Sequence, residues 1–283
     1  MVTGWRDYAR EAAGRLSTAG VPDAAFDVRC LMEEIGGMPH GVLPDDRPLS
    51  REAAGRLDTA IAERMDGRPL QYILGTWDFL SLRLAVGEGV LIPRQDTELL
   101  CEVAAAALRE MACAELPQVL DLCAGSGCVG LGIASLVPAT VTAVEKSPAA
   151  LRFLRENCRR YPQFQVTPLA GDICTDADRF SGGVQAIVSN PPYIPAAALP
   201  TLMREVRREP AMALDGGEDG LLFYRILTEK WAPKLAPGGF LAVEIGFDQG
   251  QKVSDLFGCA GLQNRQVIRD FAGKDRVVIG YRA

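Results

Sequence analysis

The sequence predicts an α/β fold, in which a doubly wound, mostly parallel sheet follows a small all-helical domain and a β-hairpin. Three observations predict it. From residue 119 onward, short apolar runs alternate with helical segments, which is typical of a sheet with helices on both faces. Residues 1–74 instead carry apolar side chains at helical spacing. Between these parts, residues 79–93 alternate apolar and polar side chains with a period of two, as strands do.

The amino-terminal region is predicted to form a bundle of three helices over residues 1–74. The second helix starts at Pro22-Asp23 and ends at Gly36-Gly37, where glycines stop helical repeats. Ser50 is the expected N-cap of the third helix, which ends at Gly67. The bundle carries no recognisable chemistry of its own.

A β-hairpin linker is predicted over residues 75–93, with strands at 79–86 and 90–93 and a turn at Gly87-Glu88-Gly89. The remaining residues, 94–283, form the predicted third part. It opens with a charged cluster before a helix over 99–111, which Asp96 or Thr97 is expected to cap. Arg94 and Glu98 belong to this cluster, and the sequence leaves open whether they serve the site or only the helix start.

Seven strands are predicted in the sheet, with helices over 148–160, 220–235 and 248–257 between them. The last strand is expected to run antiparallel. The predicted strands are Val119–Leu122, Val141–Val144, Phe164–Leu169, Gln185–Ser189, Phe240–Ile245, Gln266–Arg269 and Val277–Tyr281.

A glycine-rich turn after the first strand is the first candidate binding element. Gly125-x-Gly127-x-x-Gly130 matches the dinucleotide fingerprint, and Glu145 stands where an acid binds ribose hydroxyls. The turn alone does not separate NAD from S-adenosylmethionine, and a turn that only permits tight packing is the remaining alternative. Asp121 favours S-adenosylmethionine, because a carboxylate repels a pyrophosphate but attracts an ammonium group. Asp172, at the end of the third strand, can accept a hydrogen bond from an adenine amino group.

Asn190-Pro191-Pro192-Tyr193 follows the fourth strand and is the second candidate element. Each proline fixes its own φ and restricts the preceding residue, so the loop is rigid. An amide oxygen and a neighbouring carbonyl can accept both hydrogens of a planar NH₂ group, on which Tyr193 can stack. The loop is therefore predicted to grip an amide or an exocyclic amine, although a proline-rich turn without function is the plain alternative.

Composition limits the partners and the compartment. The net charge of −6 and the lack of a basic block argue against binding to duplex DNA. Eight scattered cysteines without a CxxC pair, together with a single histidine, His40, argue against a metal site. No signal peptide or membrane-spanning stretch is recognisable, so we expect a reduced, cytoplasmic protein without a membrane partner.

Taken in order, these motifs resemble class I S-adenosylmethionine-dependent methyltransferases that methylate amino groups. A narrower set of motifs resembles the peptide chain release factor glutamine methyltransferases (the PrmC/HemK family) over nearly the whole chain. The segments that carry this resemblance are Pro69–Gly75, Leu91–Glu98, Glu209-Pro210, Ala213–Gly217 and Arg269–Arg276.

The resemblance implies a Rossmann-like domain that methylates the glutamine side-chain amide in the Gly-Gly-Gln (GGQ) motif of bacterial release factors, held by the helical domain and the hairpin. It implies S-adenosyl-L-methionine as cofactor, S-adenosyl-L-homocysteine as product and no direct nucleic-acid binding. The implied cofactor-binding residues are Asp121, Cys123, Ala124, Gly125, Ser126, Gly127, Glu145, Asp172, Ile173 and Asn190. The implied catalytic and substrate-binding residues are Asn190, Pro191, Pro192 and Tyr193. Cys123 departs from the family, which often has glycine there.

Other functions compete with this interpretation. A nucleic-acid amino methyltransferase could use the same tetrapeptide, but it would need a basic cleft. A regulatory module that binds S-adenosylmethionine or NAD without turnover would leave Asn190–Tyr193 unexplained. An NAD-dependent oxidoreductase would need an acid such as a histidine or a Tyr-x-x-x-Lys pair, and the sequence offers no candidate.

Overall fold

The computed structural model describes residues 4–111 and 115–283, so Cys113 lies outside the described residues. The chain separates into two compact units. The first, the helical unit, comprises the residues up to Thr76 together with Met203–Arg208, and the second, the sheet unit, comprises Trp77–Leu202 and Glu209–Ala283. The predicted boundaries at 74/75 and 93/94 stay predictions.

The helical unit is built from short amphipathic helices. They are α1 (Trp5–Thr18), α2 (Ala24–Leu31, continued by a π-helical turn, Met32–Gly36), α3 (Arg51–Met65) and α4 (Leu70–Leu74). The Ser50 hydroxyl accepts a hydrogen bond from the Ala53 N–H at 3.1 Å, which confirms the predicted cap. Leu16, Leu31 and Leu57 are fully buried and form the centre of the unit.

A buried ion network joins the segment Met203–Arg208 to this bundle. Arg64 Nε lies 2.6 Å from Asp27 Oδ2, and Arg64 Nη2 lies 2.8 Å from Glu205 Oε2. The side chains of Arg64 and Asp27 are only 4% and 7% exposed. Burial raises the pKa of Asp27, and the Arg64 guanidinium opposes that rise. Each charge therefore depends on its partner for the hydrogen bonds that water would otherwise supply.

The β-hairpin is confirmed, but its predicted strands and turn are wrong. Its strands are β1 (Thr76–Phe79) and β2 (Leu82–Ala85), and the turn lies at Leu80-Ser81, with Leu80 at a positive φ of 50°. The Glu98 carboxylate accepts a hydrogen bond from the Leu80 N–H at 2.7 Å and so holds this turn. Residues 87–93 form a loop instead of a strand, because Ile92 donates its N–H to the Glu209 carboxylate.

The sheet unit contains a seven-stranded sheet in the order β5-β4-β3-β6-β7-β9-β8, as the predicted fold class requires. All neighbouring strands run parallel except β9, which pairs antiparallel with β7 and β8. The strands are β3 (Gln118–Leu122), β4 (Thr140–Glu145), β5 (Gln165–Ala170), β6 (Val184–Ser189), β7 (Leu235–Glu244), β8 (Gln263–Arg269) and β9 (Asp275–Tyr281).

Helices cover both faces of the sheet, and each face has its own buried apolar cluster. The helices are α5 (Gln95–Glu110), α6 (Cys128–Leu136), α7 (Pro148–Arg160), α8 (Leu222–Ile226) and α9 (Gly250–Cys259). The helix predicted over 220–235 is interrupted: α8 continues as a π-helical turn, Leu227–Trp231, and then as a 3₁₀ turn, Ala232–Lys234. Pro233 within this last turn cannot donate the hydrogen bond that an α-helix needs.

Replacing Arg64 by alanine is expected to destabilise the helical unit by about 3 kcal/mol, because it leaves the Asp27 carboxylate buried without its partner. Urea denaturation of the full chain, followed by circular dichroism, measures the change. Arg10→Ala is the matched control. Arg10 pairs with Asp7 on the surface with 80% of its side chain exposed, so its loss is expected to change stability by less than about 0.5 kcal/mol. Equal effects of the two variants would contradict the importance of the buried network.

Candidate active site

The site is positioned by the pairing of β3 with β6. These strands are parallel neighbours, and Leu122 pairs with Ser189 at their carboxyl ends. The Ser189 hydroxyl donates to the Leu122 carbonyl at 2.6 Å and ties the two ends together. The glycine-rich turn and the Asn190 loop therefore start side by side. The chain order of the strands reverses between β3 and β6, which is where ligands bind in open α/β sheets.

A cavity lies at this edge of the sheet unit, and most of the predicted site residues form its walls. Those in the walls are Arg94, Cys123, Ala124, Gly125, Ser126, Glu145, Asp172, Ile173, Asn190 and Pro192. The structure places the remaining predicted residues outside the walls. These are Glu98, Asp121, Gly127, Pro191 and Tyr193. The roles assigned to all of them stay predictions.

The glycine-rich turn needs its glycines for conformation and space. Gly127 has a φ of 83°, and a Cβ there would lie 2.5 Å from Leu154 Cδ1. Gly125 has a φ of 57°, and its N–H donates to Glu145 Oε2 at 2.8 Å. Cys123 also has a positive φ, 63°, a conformation that glycine adopts without strain.

Two carboxylates stand at neighbouring strand ends in the cavity wall. Glu145 accepts hydrogen bonds from the N–H groups of Ser147 and Gly125, which counter the rise in its pKa caused by burial. Asp172 lies 2.9 Å from Lys146 Nζ and accepts from the Cys174 N–H. Burial tends to raise the pKa of Asp172, but these hydrogen bonds outweigh it and hold the pKa below its ordinary value.

Asp121 lies behind the glycine-rich turn. It is fully buried, and its Oδ2 accepts from the Gly130 N–H at 2.9 Å, whereas Oδ1 has no hydrogen-bond partner among the described residues. Burial raises the pKa of this carboxyl to about 7. The Asp121 carboxylate is therefore not exposed at the cavity wall, where a ligand ammonium group would have to meet it.

The Asn190 loop is anchored on three sides. Asn190 Nδ2 donates to Thr97 Oγ1 at 3.1 Å, and no described residue donates to Asn190 Oδ1. The Tyr193 hydroxyl donates to Glu244 Oε1 at 3.2 Å, while the Tyr193 carbonyl accepts from Gln249 Nε2 at 3.0 Å. The tyrosine is thus hydrogen-bonded to the end of β7, and the Asn190 amide oxygen is left to accept a hydrogen bond from a ligand.

The cap predicted for α5 is wrong. The helix begins at Gln95 with Arg94 as N-cap, and no side chain in the described part of the chain caps it. Thr97 is buried in the first turn, where its hydroxyl serves Asn190 instead of the helix end. Arg94 forms an ion pair with the buried Glu209 carboxylate. This pair could not be predicted, because the two residues are far apart in the sequence.

Sequence reasoning missed Thr97 and Glu244 as parts of the site. Thr97 gives no signal beyond its place in a charged cluster. Glu244 ends a strand at the same sheet edge as Glu145, and that position is a usable signal.

Among residues 4–111 and 115–283, no group of three or more His, Cys, Asp or Glu side chains is placed to hold a metal ion. No helix in the described part of the chain is both long and apolar enough to cross a membrane.

Comparisons with known proteins find similar sequences that extend over nearly the full chain. The family model described as PrmC N-terminal domain matches residues 7–75, and the one described as Conserved hypothetical protein 95 matches residues 104–235. The release factor glutamine methyltransferase of Moorella thermoacetica is 43% identical over 277 residues, which cover 96% of each chain. That of Geobacter sulfurreducens is 40% identical over 273 residues, or 94% of this chain and 93% of the relative.

A solved structure from Alicyclobacillus acidocaldarius, a release factor-specific protein-(glutamine-N5) methyltransferase, is 31% identical to this chain. The match covers 68% of this chain and 94% of the solved chain, and its TM-score is 0.43.

Asp121→Asn is expected to become more stabilising as the pH rises from about 5 to about 8. The folded state keeps the Asp121 proton up to about pH 7, whereas the unfolded chain loses it at about pH 4. The free energy of unfolding of the parent therefore falls as the pH rises through this window. The asparagine carries no such proton and keeps an oxygen for the Gly130 N–H. We expect the difference in unfolding free energy to grow by about 2 kcal/mol.

Urea denaturation at several pH values measures this growth, with Asp178→Asn on the exposed surface as the control for removing one charge. A difference between Asp121→Asn and the parent that stays constant with pH would contradict the raised pKa.

Proposed function

This chain belongs to the family of release factor glutamine methyltransferases, and on that premise we propose the reaction that it catalyses. It transfers a methyl group from S-adenosyl-L-methionine to the side-chain amide nitrogen (N5) of the glutamine in the GGQ motif of bacterial peptide chain release factors. One observation carries this proposal. The Asn190 amide is held beside the glycine-rich turn with its nitrogen bonded to Thr97, so that its oxygen is left to accept from a substrate.

The charges around the cavity suit S-adenosylmethionine better than a dinucleotide. Glu145 and Asp172 are carboxylates in the wall, and they would repel a pyrophosphate. The cations Arg94 and Lys146 are already paired with Glu209 and Asp172. The residues that would hold the cofactor are the Cys123–Gly127 turn, Glu145 for the ribose hydroxyls, and Asp172 with Ile173 for the adenine. When bound, S-adenosylmethionine supplies an electrophilic methyl group on a positively charged sulfur and leaves as S-adenosylhomocysteine.

The work of this chain is to make a poor nucleophile attack. The lone pair of an amide nitrogen is delocalised into its carbonyl. Asn190 Oδ1 and the Pro191 carbonyl would accept the two hydrogens of the substrate amide, orient its nitrogen for attack and favour a more tetrahedral nitrogen. Methyl transfer would replace the carbon–sulfur bond of the cofactor by a carbon–nitrogen bond, and the amide proton lost after attack would pass to solvent water. Because it leaves after attack, the site needs no strong base. In this proposal Tyr193 stacks on the substrate amide.

We assign recognition of the release factor to the helical unit and the hairpin. The helical unit has a buried core of its own, and all the residues found in the cavity wall belong to the sheet unit. The proposed substrate is a translation factor, which places the enzyme in the cytoplasm and requires no direct contact with nucleic acid.

Asn190→Ala is expected to lower methyl transfer at saturating cofactor by at least about 100-fold, because the substrate amide loses an acceptor that acts on the reacting nitrogen. Cofactor affinity, measured by calorimetry, should stay within a few-fold. The assay follows labelled methyl groups from S-adenosylmethionine onto purified release factor. Normal turnover by this variant would rule out the proposed grip.

A release factor with the GGQ glutamine replaced is the substrate control. Loss of label with that replacement identifies the methylated residue. Label on DNA or RNA, with none on the release factor, would retain the methyltransferase fold and overturn the substrate.

A further inference from the structure

We propose that Gln249 is a positioning residue for methyl transfer, because it fixes the backbone of the Asn190 loop from behind the cavity. The inference rests on the proposed function, in which Asn190 and the Pro191 carbonyl must meet the substrate amide. Gln249 directly precedes α9, and the structure places it outside the cavity wall. Its side chain is buried, with only 5% of the residue exposed, so its hydrogen bonds must come from the protein.

The hydrogen bonds around Gln249 determine which way its side-chain amide faces. Oε1 accepts from the Gly246 backbone N–H at 2.9 Å. Nε2 donates to two backbone carbonyls, that of Tyr193 at 3.0 Å and that of Gly220 at 3.2 Å. A backbone N–H only donates and a carbonyl only accepts, so exchange of Oε1 and Nε2 would lose all three bonds. The amide therefore has a single orientation, in which both hydrogens of its NH₂ group are used.

Gln249 holds one side of a peptide unit whose other side is bonded as well. In a trans peptide unit, the carbonyl of one residue and the N–H of the next lie in one plane and point in opposite directions. The Tyr193 carbonyl meets Gln249, and the Ile194 N–H donates to the Leu214 carbonyl at 2.9 Å. Rotation of this peptide unit would therefore break both bonds, and the unit is fixed at the carboxyl end of the Asn190 loop.

Little freedom remains between this peptide unit and the start of the loop. Pro191 and Pro192 fix their own φ angles. At the other end, Asn190 Nδ2 donates to Thr97 Oγ1 at 3.1 Å. The loop is thus a short segment fixed at both ends, and Gln249 supplies the second fixed point. Release of that point would displace the Pro191 carbonyl more than the glycine-rich turn, which follows a different strand.

Gly220 gives independent evidence that the contact between Gln249 and Tyr193 shapes the chain. Its φ is 74°, and a Cβ there would lie 2.5 Å from the Tyr193 carbonyl oxygen and 2.7 Å from Gln249 Nε2. Both distances are far below the ~3.5 Å at which a nonbonded carbon atom makes favourable contact. The hydrogen bond therefore occupies the space that a side chain at position 220 would need.

The first test is Gln249→Glu, which keeps the side-chain length and an oxygen for the Gly246 N–H. Its second oxygen would repel the two carbonyls when ionised, and when protonated it could donate to only one of them. We expect kcat for release factor methylation to fall by at least about tenfold, because the acceptors of the substrate amide are misplaced. The cofactor Kd and the KM for release factor should stay within a few-fold of the parent, which general unfolding would not allow.

Tyr224→Phe is the control for loss of a buried polar group in the same cluster. The Tyr224 hydroxyl is buried 3.3 Å from Gln249 Oε1. Its removal leaves both bonds of Gln249 Nε2 in place, so we expect kcat within a few-fold of the parent.

Gly220→Ala tests the same contact from the opposite side and keeps Gln249. Its methyl group would separate Gln249 from Tyr193, so we expect the same pattern of lowered kcat and nearly unchanged cofactor Kd. Gly273→Ala is the matched control. Gly273 has a φ of 77° on the exposed surface, and no described atom lies within 4 Å of its Cβ position. This variant carries the same conformational strain and should keep the kcat of the parent.

A third measurement needs no turnover. Hydrogen exchange of the Ile194 N–H, followed by nuclear magnetic resonance, reports directly on the fixed peptide unit. In the parent we expect exchange at least about 100-fold slower than in an unstructured chain, because the loop must open first. In Gln249→Glu the exchange should be at least about tenfold faster than in the parent.

Three results would overturn the inference: parental kcat in both Gln249→Glu and Gly220→Ala, an equal loss of kcat in Tyr224→Phe, or an unprotected Ile194 N–H in the parent. If Gln249→Glu does not fold, Gly220→Ala and the exchange in the parent decide. Failure of the proposed function looks different. The parent itself would then leave the release factor unlabelled, whereas the exchange of Ile194 would still report on Gln249.

Discussion

The parallel pairing of β3 with β6 is the constraint on which the site depends. It sets Leu122 opposite Ser189, while the pairing of β3 with β4 sets Leu122 opposite Val144. The glycine-rich turn, Glu145 and Asn190 therefore reach the same sheet edge. Successive side chains of a strand point to opposite faces, so a slip of one residue in β6 would turn Ser189 away from the Leu122 carbonyl that it bonds. The chemistry is thus tied to the register of a buried sheet.

Buried polar side chains then fix the loops on this frame. Asn157, on α7, is fully buried and donates to the carbonyls of Ser126 and Ala85, at 2.9 and 3.1 Å, and it accepts from the Ala85 N–H. One side chain therefore holds the glycine-rich turn and strand β2 together. A buried amide is costly without partners, and this one has them, so it stiffens the site. Gln249 holds the Tyr193 carbonyl in the same manner.

The sequence predicted those parts of the fold that depend on local patterns. Apolar runs ending in polar or glycine residues located the strands and both loops, because buried parallel strands carry that pattern along their own length. The predictions of the hairpin turn and of a strand over 90–93 were wrong for one shared reason. Leu80 is held by Glu98 and Ile92 by Glu209, and these partners are distant in sequence and chosen by the fold. The hydrogen bonds of Thr97 with Asn190 and of Glu244 with Tyr193 could not be predicted for the same reason, because the partners are distant in sequence.

Cys123 shows how firmly the frame dictates local geometry. A side chain at a φ of 63° is strained by about 1–2 kcal/mol relative to glycine, yet the turn keeps the conformation that glycine would adopt freely. The neighbouring Ala124 N–H donates to the Val144 carbonyl at 3.0 Å, which extends the bonding between β3 and β4 beyond the strand. Burial raises the pKa of the Cys123 thiol, so it stays neutral and packs against the apolar cluster beneath the cavity. The strand pairing and this packing thus offset the strain, and the turn owes its shape to the sheet as much as to its glycines.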